Sequence, residues 1–74
     1  MYHYYLSEKS GGFLCQGFVF SCNELAEILL DLRTDFPRRS LALEDLSAIL
    51  YDNDEVLKNA GDYIKNETLI LELL

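Results

Sequence analysis

The chain has 74 residues and a mass of 8.5 kDa, enough for one domain spanning 1–74 and too little for a second, since single cores take roughly 50 to 200 residues. Half of the residues are hydrophobic, 12% are aromatic and 26% charged, a balance that excludes intrinsic disorder. Thirteen acidic residues against six basic ones give a net charge of -7, which repels phosphate backbones and anionic lipid and so argues against direct nucleic-acid or membrane-surface binding.

Met1-Tyr2-His3-Tyr4-Tyr5 lacks a basic leader segment, and no apolar run approaches the ~20 residues of a membrane span. The expected location is the cytoplasm. Two cysteines are too few for a disulfide framework, and strand geometry holds Cys15 and Cys22 too far apart to bridge.

Tyr2–Ser7 and Phe13–Phe20 are rich in β-forming residues and flank Glu8-Lys9-Ser10-Gly11-Gly12, which predicts an N-terminal β-hairpin. Alternation places Tyr2, Tyr4 and Leu6 on one face and His3, Tyr5 and Ser7 on the other. In the return strand it separates Phe13, Cys15 and Val19 from Leu14, Gln16, Phe18 and Phe20. Both faces are apolar, so one covers a core and the other is available to a partner. Closure about Lys9 and Ser10 would set Tyr4 opposite Cys15 and His3 opposite Gln16.

Ser21-Cys22-Asn23-Glu24 fits a capping box, in which the serine hydroxyl and the glutamate three residues on satisfy free amides at a helix start. Leu25, Ile28, Leu29 and Leu32 then recur at helical spacing until Asp35-Phe36-Pro37, which predicts a helix over Cys22–Thr34. Pro37-Arg38-Arg39 connects to a second helix capped by Ser40, with Leu43, Leu46, Ile49 and Leu50 on one stripe. Alternatively Ser40–Leu43 is a strand and the helix starts at Glu44. Glu55–Ala60 offers a further helical turn, and Gly61 a stop. Tyr63–Leu74 alternates through Leu69, Leu71 and Leu73 and reads as a final strand. The expected class is therefore α+β: a small two-layer sandwich of order ββααβ, with an N-terminal hairpin, one or two helices and a C-terminal strand. A β-grasp-like arrangement is one candidate.

Chemistry finds little to work with. A domain of this size buries only about 60 to 65% of its unfolded surface, leaving little interior for a substrate cavity. The single histidine, His3, falls on the sheet face opposite Cys15, so a thiol–imidazole dyad fails. Cys22 sits in the first turn of a helix, where the backbone dipole favours a thiolate, but a small residue packed beneath the hairpin is the favoured reading, since free cysteine usually behaves as a buried hydrophobe. His3, Cys15 and Cys22 are one ligand short of a structural zinc site, and Asp52-Asn53-Asp54 continues into Val56 and Leu57 where a calcium loop needs an oxygen and a glycine. The four glycines form no phosphate-binding pattern. No cofactor, metal or catalytic residue is expected, and the protein reads as a non-enzyme.

The distinctive feature is localised acidity. Glu44, Asp45, Asp52, Asp54, Glu55 and Asp62 are opposed only by Lys58, so residues 44–62 carry -5 of the -7. Carboxylates at such spacing imitate phosphates, and Tyr2, Tyr4, Tyr5 and Tyr51 are candidate aromatic anchors. The sequence therefore points to a stoichiometric inhibitor that occupies a basic surface of a nucleic-acid-binding protein or complex. A self-associating structural or adaptor subunit, pairing as a homodimer through an apolar sheet face or the leucine-rich last strand, is the alternative. Acyl carrier proteins share the size and charge, but Asp45-Leu46-Ser47 reverses the order of their Asp-Ser-Leu motif. In overall character alone, with no diagnostic motif, the chain resembles phage-encoded inhibitors of bacterial defence, anti-CRISPR and anti-restriction proteins among them, and bacterial immunity or antitoxin-type proteins.

Overall fold

The alternating aromatic and aliphatic residues at the N-terminus form the expected hairpin, β1 (Tyr2–Glu8) and β2 (Phe13–Val19). It is followed by α1 (Cys22–Asp31), a single 3-10 turn (Pro37–Arg39), α2 (Ser40–Asp52), β3 (Tyr63–Lys65) and β4 (Leu69–Leu73). These elements come from a computed structural model that describes residues 1–53 and 55–74. The strands make one sheet of order β2-β1-β4-β3 in which every neighbouring pair is antiparallel. The protein is a small α+β fold in which the two helices pack against each other and against one sheet face.

Directly opposed residues in antiparallel strands share a face, so the register identifies the two sides of the sheet. Tyr4, Leu6, Val19, Ile64, Leu69, Leu71 and Leu73 point towards the helices and are buried. They meet Leu25, Ala26 and Leu29 of α1 and Leu43, Leu46 and Leu50 of α2 in one core. The polar Ser47 is buried among them because its hydroxyl donates to the Ala26 carbonyl at 2.8 Å, tying α2 to α1 and satisfying both groups. Ile49, expected on the buried stripe, is more than a third exposed, and Ser47 takes that place.

Several boundaries differ from the sequence expectation. The hairpin pairs Tyr4 with Gly17 and His3 with Phe18, two residues away from symmetric closure, because Glu8–Gly12 forms the turn with Gly11 at φ +111°. A two-residue shift preserves the alternation, so His3 and Cys15 still lie on opposite faces. Leu14 forms a β-bulge, which moves Phe13 from the Cys15 side to the open side. Helix α1 stops at Asp31, three residues early. Ser40 begins α2 without capping it: its hydroxyl lies 3.4 Å from Glu44, and the strand alternative for Ser40–Leu43 is overturned. Glu55–Ala60 adds turns and bends in place of a helical turn among its described residues.

The largest difference lies at the C-terminus. Tyr63–Leu74 is a hairpin, β3 and β4, because Asn66 folds the chain back. Its side-chain oxygen accepts from the amides of Thr68 and Leu69 at 2.9 and 2.8 Å, and its side-chain nitrogen donates to the Ala42 carbonyl at 3.0 Å. The turn takes β4 into the middle of the sheet, where Leu69, Leu71 and Leu73 are covered.

Candidate functional site

The acidic residues of the helices divide into engaged and free. Glu44 is held by Arg33 at 2.7 Å, and Glu55 pairs with Lys58. Asp62 accepts from the backbone amides of Lys58 and Asn59 at 3.0 and 2.9 Å, and these bonds hold its carboxyl below the ordinary aspartate value. These three carboxylates do internal work. Asp45 and Asp52 are exposed and seven residues apart on one side of α2, with no ion-pair partner among the described residues. Asp54 lies outside the described residues.

Helix α1 adds two carboxylates that the sequence reading left out of the set. Glu27 and Asp31 are exposed at i and i+4, a spacing at which like charges repel, and neither has an ion-pair partner among the described residues. The i, i+4 spacing itself was the available signal. Neither helix has a basic residue in its last turn, where Asp31 and Asp52 face the negative end of the backbone dipole. The exposed carboxylates of the helical layer thus include four with no ion-pair partner among the described residues. Of the two arginines after Pro37, Arg39 bonds Glu8 at 2.7 Å and Arg38 is exposed.

The four candidate contact tyrosines, Tyr2, Tyr4, Tyr5 and Tyr51, do not form one surface. Tyr4 is 7% exposed, its ring lying over Gly17, where a Cβ would come within 2.8 Å of the phenol oxygen; it is a core side chain and leaves the contact set. Burial, with a smaller contribution from Cys15, pushes its phenol above the usual value. Tyr2 is half-buried against the same core. Tyr51, 48% exposed, shares α2 with Asp45 and Asp52, whereas Tyr5 lies on the far side of the sheet.

That far side is covered by no element of the described chain. Phe13, Phe18 and Tyr63 are exposed there, beside the half-buried His3, Tyr5 and Ile70. His3 stacks on Phe18 with ring centres 4.4 Å apart and lies 2.8 Å from the Gln16 side-chain oxygen; Tyr5 tilts against Phe13 at 5.1 Å. Apolarity on both faces of the hairpin is legible in its alternation, but Phe13 and Tyr63 needed the bulge and the second hairpin.

The thiols are poorly placed for chemistry. Cys22 is buried, and its sulfur donates to the Leu57 carbonyl at 3.5 Å. Burial, and then the nearby Asp35 carboxylate, push the Cys15 thiol up, away from the reactive thiolate. A shallow cavity of about 200 Å³ between Leu41, Ala42, Asp45 and Asn66–Thr68 contains no nucleophile–base pair. Among the described residues no cluster of His, Cys, Asp or Glu could hold a metal ion, and no helix is long and apolar enough to cross a membrane.

No protein family matches this chain, and no curated protein or solved structure matches it either.

Proposed function

We propose that the protein is a small acidic binding module that acts stoichiometrically, as an inhibitor, by covering a basic surface on a nucleic-acid-binding partner. The observation that supports this reading is the set of exposed carboxylates on the helices, Glu27, Asp31, Asp45 and Asp52, none of which has an ion-pair partner among the described residues. Unpaired carboxylates of this kind steer encounter with a basic surface and can raise association rates by about 10- to 1,000-fold at low salt. Tyr51, on the same helix, is the aromatic candidate for a contact within that surface. Glu44, Glu55 and Asp62 then serve the fold and only add to the field.

The test is capture of partners from a lysate at low and high salt, with wild type beside a variant carrying Glu27→Gln, Asp31→Asn, Asp45→Asn and Asp52→Asn. The expected result is a captured nucleic-acid-binding protein that the variant loses, that high salt releases and that a DNA or RNA duplex competes away. Capture that survives both neutralisation and high salt would falsify the electrostatic reading.

A further inference from the structure

The open sheet face is a second surface with a different chemistry. Residues 21–62, which hold both helices, contain ten acidic and four basic residues, net -6; the strand-bearing remainder has three acidic and two basic, net -1. Among the strand residues that face this side, the charged side chains are Lys65 and Glu72, one of each sign on adjacent strands and not paired with each other. The face is thus close to neutral, aromatic, and remote from the charge that would repel another copy of this chain.

The sheet edges are protected where the face is not. β2 is interrupted by the bulge at Leu14, and β3 is three residues long and carries Lys65, both devices that discourage strand addition. Growth of the sheet from either edge is therefore disfavoured, whereas face-to-face packing of two sheets, about 10 Å apart, buries alternate side chains without needing an open edge.

We infer that the open face packs against the same face of a second copy, giving a two-fold homodimer with the sheets inside and the acidic helices outside. A surface with one lysine, one glutamate and a set of aromatic side chains is complementary to itself in sign and in polarity, as an isologous contact requires. Strands of seven, seven, three and five residues at ~3.4 Å rise and ~4.8 Å spacing give a footprint of about 360 Å², less than half of the ~800 Å² per partner in a standard interface. The dimer is accordingly weak and reversible. Its arrangement points both helical layers outward, so it neither uses nor blocks the acidic surface.

Sedimentation equilibrium between about 10 μM and 1 mM, the range that brackets weak association, tests the inference. Wild type should move from 8.5 kDa to twice that mass. Phe18→Ser with Tyr63→Ser removes side chains that are 61% and 57% exposed, so the fold is retained while self-association weakens at least ~10-fold. Leu41→Ser, an equally apolar change at an exposed position on α2, should leave the dimer intact. A wild type that stays monomeric at 1 mM assigns the face to some other occupant and overturns the inference, as does a double variant that dimerises like wild type.

Discussion

Asp62 shows how a single acidic residue can be read two ways. In sequence it belongs to a negative run, yet in the fold its carboxylate closes a turn by accepting from the Lys58 and Asn59 amides. Those bonds favour the charged form and hold its titration below the ordinary aspartate range near pH 3.8. A group whose folded value is depressed contributes stability that is present above the unfolded value and disappears as the pH falls through the folded one. Carbon-detected NMR titration should therefore give Asp62 a midpoint below the ordinary aspartate value of 3.8, with the amide signals of Asn59 and Lys58 moving in the same step. An Asp62 midpoint at or above the ordinary value would mean that the turn is not held by this carboxylate. Gly17 is a position where the sequence offered no clue: it leaves room for the Tyr4 ring in the core, and that contact takes Tyr4 away from any partner.

Elements were legible where local rules and tertiary demands agree. The capping residue at Ser21 starts α1, its oxygen accepting from the Glu24 amide at 3.1 Å, while the Glu24 side chain accepts from the amide of Phe20, one residue before the expected serine amide. The Leu69, Leu71, Leu73 alternation likewise identifies the buried side of β4 because a period of two has one solution on a one-sided sheet. What escaped was register and punctuation. The shift in β1–β2 depends on the Gly11 turn and the Leu14 bulge, neither of which the period-two alternation of the strand reveals. The break in the last strand depends on one side chain, Asn66, whose partner Ala42 is remote in sequence. Of the candidate site, the acidity of α2 could be read directly, but which carboxylates stay free depends on Arg33, Lys58 and a backbone turn. Asn66→Ala should test how much of the C-terminal hairpin rests on that residue. It removes acceptors from two amides and a tether to α2, and the expected loss is about 1–3 kcal/mol in urea unfolding. A change below ~0.5 kcal/mol would show that the β3–β4 pairing sets the turn and Asn66 only decorates it.

At the scale of the whole molecule, charge and apolarity are sorted between the two layers. The helical layer carries the net charge, and within it Asp31 and Asp52 occupy last turns where a lysine or arginine would have stabilised the helix. Local rules broken without a structural return are expected where function demands them. Two opposite effects should then come from one change. Asp31→Asn and Asp52→Asn should each stabilise the fold by about 0.3–1 kcal/mol, seen as a higher urea midpoint at unchanged slope, because each removes a negative charge from the negative end of a helix. The same pair should weaken binding to the captured basic partner and flatten its dependence on salt. If the substitutions lower stability instead, these carboxylates are engaged in the fold as Glu44 and Asp62 are, and the helical layer loses its claim to be a contact surface.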